Sequence, residues 1–151
     1  MNRTNSIVIQ APLHDIFEVA SDLEKWPDYL SHYRYNTFLS KKPWGGIVKM
    51  CAVRDFITTS WISEYRIKPE EVQMEFNHLR STLNATRGMN VIWYFKETDG
   101  GVQIDIVHVH KLNWPVIGGL VNNYIVGWFF IHNIANKTLA GLKKRMEKKT
   151  S

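Results

Sequence analysis

From residue 33 to residue 112 apolar side chains recur at every second position, segment after segment. The pattern then changes once, to a single helical stripe that runs almost to the last residue. That succession constrains the fold more than any other feature of the chain. Consecutive period-two runs joined by short turns build an antiparallel sheet, and one long helix after them has to lie on a face of it. Tyr33, Tyr35, Thr37 and Leu39 alternate with Arg34, Asn36 and Ser40, and residues 47–54 form the next run. Over 56–67, Thr59, Trp61, Ser63, Tyr65 and Ile67 share a face. Over 71–78, Val72, Met74, Phe76 and His78 do. Met89, Val91, Trp93 and Phe95 mark one face of 87–97, and Ile104, Ile106, His108, His110 and Leu112 mark one face of 102–112. The turns are spelled out by Pro43-Trp44-Gly45-Gly46, Lys68-Pro69-Glu70 and Thr98-Asp99-Gly100-Gly101. Residues 79–86 lack a clean period and read as a loop.

The opening residues add a short β-branched strand over 6–10, a helix over 14–20 with Leu13, Ile16, Phe17 and Ala20 at helical spacing, and a second helix over 23–30 bent by Pro27. The final helix spans 116–148, its stripe stepping through Leu120, Tyr124, Trp128, Ile131, Ala135, Leu139, Leu142 and Met146. The expectation is one α+β domain over residues 1–151. A curved antiparallel sheet of about seven strands wraps around a long C-terminal helix, with two short helices after the first strand. Such a sheet twists and curls, and a helix laid across its hollow side leaves room that the short helices close at one end only. Six Trp, six Tyr and seven Phe in 151 residues suit the wall of an apolar cavity as well as they suit a core.

The net charge of +5 is concentrated in Lys143, Lys144, Arg145, Lys148 and Lys149. Cations there complement the C-terminal end of a helix dipole and favour docking on an anionic membrane, whereas nucleic-acid binding is not expected. One cysteine, Cys51, excludes an internal disulfide. The opening MNRTNSIVIQAP has no apolar leader stretch. The apolar segment 116–134 is broken by Asn122, Asn123, His132 and Asn133, which favours a buried helix over a membrane span. A cytoplasmic protein, at most peripheral at a membrane, is expected.

Ile9, Ala11, Pro12, Ile16, Phe17, Asp22, Trp26 and Pro27 follow the order strand, Ala-Pro, helix with Ile-Phe, Asp, Trp-Pro. With Trp93, Phe95, the Gly100-Gly101 hairpin and the aromatic last helix, this resembles the START-like (SRPBCC, Bet v 1-type) superfamily, in its polyketide cyclase/dehydrase and coenzyme Q-binding branch. The resemblance implies a helix-grip fold with an internal cavity for a lipid, isoprenoid, quinone or polyketide. Some members resemble aromatase/cyclases and others carriers, so it specifies fold more strongly than function.

Among polar residues, His108 and His110 lie two apart on one strand and so face the same way, with Asp105 and Lys111 opposite. Two imidazoles invite a metal, but no third ligand stands at a telling spacing, and no metal or cofactor is expected. Imidazoles in an apolar cavity suit proton transfer near neutral pH. Arg54 shares a parity with Val48, Met50 and Ala52, and a buried guanidinium needs a partner. The candidate catalytic residues are therefore His108, His110, Arg54 and Tyr35. Candidate ligand contacts are Tyr33, Trp61, Tyr65, Phe76, His78, Trp93, Phe95, Tyr124, Trp128 and His132. No P-loop, G-x-G-x-x-G or G-x-S-x-G elbow occurs. Three functions follow: a carrier of a hydrophobic small molecule, a cyclase or dehydratase working by proximity and proton transfer, and an interaction module using the basic tail and the 79–86 loop.

Overall fold

The computed structural model describes residues 2–54, 57–81, 88–109 and 118–148, without the side chains of Asn2, Arg54, Ser81 and residues 118–131. Strand β1 (Asn2–Ile9) leads through Pro12 into α1 (Leu13–Ser21), whose Ile16 and Ala20 are buried. A 3-10 turn over Leu23–Lys25 runs into the single-turn α2 (Trp26–Tyr29), where Pro27 occupies the first turn, a place that needs no N–H. The expected bent helix is therefore two short pieces meeting at Trp26.

Six strands follow: β2 (Tyr33–Lys42), β3 (Gly45–Arg54), β4 (Ile57–Lys68), β5 (Gln73–Ser81), β6 (Asn90–Thr98) and β7 (Gly101–Val109). They form a meander in which each strand pairs antiparallel with the next. β1 joins at the far side of β7, giving the order β1-β7-β6-β5-β4-β3-β2. The last element is α3 (Gly118–Lys148), and no described helix is long and apolar enough to cross a membrane. Its expected stripe is buried where side chains are described, at Ala135, Leu139, Leu142 and Met146. These residues join one core with the inner faces of the strands.

Two departures from plain alternation matter for the site. A bulge falls between Tyr33 and Tyr35, so Tyr33 faces inward and the inner parity resumes at Asn36 and Phe38. A bulge puts two residues against one and reverses every side chain beyond it. A second shift in β2, between Phe38 and Ser40, lies near Gly46. There φ is +153°, and a Cβ would run into the Ser40 carbonyl oxygen. In β5, Leu79, Arg80 and Ser81 continue the strand instead of opening a loop: a shift between Ile62 and Ser63 leaves Leu79 as the extra residue and sets Arg80 and Ser81 opposite Ile62 and Trp61 of β4. Residues 82–86 of the expected loop lie outside the described residues, as does residue 87 at the expected start of the next strand.

Candidate functional site

The inner face divides into an apolar end and a polar end. At the end covered by α1 and α2, Trp26 occupies the hollow of the sheet. Its ring centroid lies 5.2 Å from Tyr33, 6.2 Å from Phe76 and 5.6 Å from Trp93. Its Nε1–H donates to the Ala20 carbonyl at 2.9 Å, which satisfies the one polar atom of a buried indole. Phe17 meets Phe95 edge-on at 5.2 Å, and Phe38 meets Tyr65 at 5.7 Å. Phe76, Trp93, Phe95 and Tyr65 thus lie on the inner face as expected, with their rings packed against other parts of the chain.

Polar groups gather at the opposite end. Thr59 and Ser63 of β4 are 3% and 0% exposed, and neither hydroxyl has a hydrogen-bond partner among the described residues. Between them stands the half-buried Trp61. It stacks on His78 with centroids 5.9 Å apart and 20° between planes, and its centroid is 6.1 Å from Tyr33. Ser63 and His78 are opposite one another across β4 and β5. His108 of β7 is buried on the same face, opposite Val91 of β6 on one side and Arg3 of β1 on the other.

α3 contributes from above. The Asn5 amide Nδ2 donates to Nδ1 of His132 at 3.0 Å and to Oδ1 of Asn136 at 2.7 Å, tying β1 to the helix. Nearby, Thr138 donates its hydroxyl to the Ile134 carbonyl at 2.7 Å and lies 2.9 Å from Nε2 of His32. A hydroxyl has one hydrogen, so the Thr138 oxygen accepts here, which assigns the N–H of His32 to Nε2.

The electrostatics follow from burial. Desolvation, then the neighbouring His78, His132 and Arg3, push His108 down to about 3. His132 is lowered by burial and by Arg3. His32 is pushed down to about 4 by burial and then Lys137. Burial raises the phenol of Tyr33 well above its ordinary value. At neutral pH the imidazoles of His32 and His108 are therefore uncharged, each with one donor and one acceptor nitrogen. Among the described residues no three metal-ligating side chains converge.

Of the residues picked from sequence, Trp61, His78, His108 and His132 come together at the polar end, and Tyr33 stands between the two ends, against Trp26 on one side and Trp61 on the other. Tyr35 does neither. The bulge turns it to the outer face, where it is 37% exposed, so the expectation that it faces the interior is corrected. His110 and the side chains of Arg54, Tyr124 and Trp128 lie outside the described residues. Sequence reasoning did not select Arg3, Asn5, His32, Thr59 or Ser63. Thr59 and Ser63 stood on the parity of Trp61 and were legible there. Arg3 and Asn5 continue the alternation of Ile7 and Ile9 backward past the expected start of the strand. On the outer face, a shallow cleft of about 200 Å³ is bordered by Glu64, Arg66, Glu75 and Asn77; Arg66 pairs with Glu64 along β4, and Glu75 pairs with Lys68 across from β5 to β4.

No protein-family model matches the chain. A Streptomyces cyaneus protein named "Putative polyketide cyclase" is 26% identical over 102 residues, a match spanning 66% of this chain and 66% of that protein. The Zhui aromatase/cyclase from Streptomyces sp. R1128 superposes with a TM-score of 0.85 at 13% identity, covering 100% of this chain and 96% of that one. A START superfamily protein from Mycobacterium smegmatis superposes at 0.68 with 13% identity, covering 97% of each chain. The chain therefore has the helix-grip fold shared by aromatase/cyclases and START proteins, as the residues around Ala11-Pro12 and Trp26-Pro27 led us to expect.

Proposed function

We propose that this protein binds an apolar small molecule carrying several oxygens, polyketide-like in character, against the polar end of its inner sheet face. The observation that carries this reading is the pair of buried hydroxyls, Thr59 and Ser63, on either side of the half-buried Trp61. A buried polar group without a partner costs about 1–3 kcal/mol. A flat, oxygen-bearing guest stacked on Trp61 would give both hydroxyls a partner, with the imidazoles of His78 and His108 as further points of contact. A bare hydrocarbon chain would leave the hydroxyls unsatisfied. The likeness in fold to an aromatase/cyclase, and in sequence to a protein named as a cyclase, agrees with this choice of guest.

The test is a double variant, Thr59→Val with Ser63→Ala. Removing two unpaired hydroxyls should stabilise the guest-free protein by about 1 kcal/mol or more. It should also weaken binding of whatever organic extraction recovers from the purified protein by about tenfold. A double variant that is less stable and binds equally well would mean that the hydroxyls serve the protein's own interior.

An enzymatic reading rests on the same place. Holding a flexible chain in one shape is most of what cyclisation requires, and His78 or His108 would move the proton of a dehydration. His108 enters that role as a neutral imidazole and a weak base, so an oxyanion on the substrate would have to raise its proton affinity first. His78→Gln and His108→Gln variants that keep the guest but lose turnover of a linear poly-β-ketone would support catalysis. Unchanged turnover would rule out both histidines as the proton-transfer groups, and absence of turnover by the wild-type protein would leave a carrier. The exposed Lys144, Arg145 and Lys148 fit a solvated helix end, and the contact of Lys143 with the Val8 carbonyl and Glu147 ties that end to β1.

A further inference from the structure

The bulge between Tyr33 and Tyr35 exchanges a phenol for an amide on the inner face. Plain alternation from Tyr33 would carry Tyr35 inward. The shifted register turns Tyr35 out and brings Asn36 in, opposite Met50 of β3, which is itself opposite Trp61 of β4. Bulges are common beside functional sites, where they re-aim a side chain. The Asn36 Nδ2 donates to the Leu23 carbonyl at 2.7 Å, and the reversed amide would set two oxygens against each other, so this orientation is fixed. Its Oδ1 is buried and has no hydrogen-bond partner among the described residues. An amide oxygen only accepts, so rotation cannot turn it into a donor, as it can the hydroxyls of Thr59 and Ser63. An apolar side chain at this place would cost the interior less than a half-satisfied amide does.

We infer that Asn36 is a specificity-determining residue of the proposed site: its Oδ1 accepts from a hydroxyl of the guest, a phenol or an enol, and selects that guest over a ketone or an ether of the same shape. This deepens the proposed function and rests on it, because it says which kind of oxygen the guest turns toward β2. Neighbouring strands lie about 4.8 Å apart, so Asn36 stands about 10 Å across the sheet from Trp61. A fused-ring guest stacked on the indole spans that width. Met50, between the two, is an unbranched thioether that adapts its shape to what lies over it. Thr59 and Ser63 serve guest oxygens of either kind, since a hydroxyl both donates and accepts, whereas Asn36 serves only a donor. The discrimination therefore falls to the amide, which a guest without a hydrogen on its oxygen leaves unpaired.

Two probes with one skeleton separate this inference from the broader reading: 1-naphthol, whose oxygen carries a hydrogen, and 1-methoxynaphthalene, whose oxygen does not. In equilibrium dialysis the wild-type protein should bind both, and 1-naphthol about tenfold more tightly. Asn36→Leu should reduce that preference to less than about twofold by weakening 1-naphthol, with the ether held within about twofold. The double variant Thr59→Val with Ser63→Ala should keep the preference. In the wild-type protein the side-chain carbonyl ¹³C signal of Asn36 should shift on addition of 1-naphthol and stay in place with the ether, a readout that needs no substitution. A preference that survives Asn36→Leu, one that vanishes in the double variant instead, or an Asn36 carbonyl indifferent to 1-naphthol would overturn the role of Asn36 while leaving the binding function standing. Failure of both probes to bind the wild-type protein would overturn both.

Discussion

Trp26 shows how much one side chain decides here. It is 2% exposed and touches Tyr33, Phe76 and Trp93, so it fills the hollow between α2 and the sheet and fixes where the solid core ends. Trp26→Ala should cost about 3–5 kcal/mol, the range for emptying a buried aromatic position. Trp26→Phe, which keeps a ring but loses the bond to Ala20 and part of the volume, should cost roughly half of that. Urea unfolding of the two variants checks both figures, and a Trp26→Ala loss below about 1 kcal/mol would show that the neighbouring rings collapse into the gap. At this scale the sequence was partly readable. The alternation in residues 71–78 and 87–97 placed Phe76, His78, Trp93 and Phe95 on the inner face. It could not tell which of them Trp26 would cover, because that depends on where a separate short helix docks. Tyr35 was misread for a related reason, since a bulge is decided jointly by two strands and leaves little trace in one.

Between elements, α3 comes close to the segment after α2. Gly141 faces Leu30, and a Cβ built on Gly141 would stand 2.5 Å from the Leu30 Cδ2. Helix propensity alone says that alanine should improve a helix interior by about 1 kcal/mol over glycine. Leu30 is 1% exposed and packed in the core, so it has little room to yield, and overpacking of this kind costs about 1–3 kcal/mol. The packing term wins: Gly141→Ala should lower stability by about 1 kcal/mol, measured as a fall in the urea midpoint at unchanged slope. A rise in the midpoint would mean that Leu30 swings aside freely. The order of the elements was legible from period alone, whereas this contact was not. The same holds for the site, where Asn5 and His132 are 127 positions apart and meet because α3 packs along β1.

For the whole molecule, the buried histidines tie stability to pH. His108 is pushed down to about 3 and His32 to about 4, both from an ordinary 6.5. The folded state therefore binds fewer protons than the unfolded state between those values, and stability must rise with pH across that window. The stabilisation is complete above about pH 6.5 and is lost as pH falls toward 4, at up to about 1.4 kcal/mol per pH unit for each imidazole. The two rings lie in different places, His32 under Thr138 and His108 among Arg3, His78 and His132, so their contributions should add. Unfolding free energies from pH 7.5 to pH 5 should slope downward into acid in the wild-type protein. His108→Gln should remove about half of the slope, and the same change at His32 a similar share. A slope that survives both replacements would place the acid sensitivity in other groups.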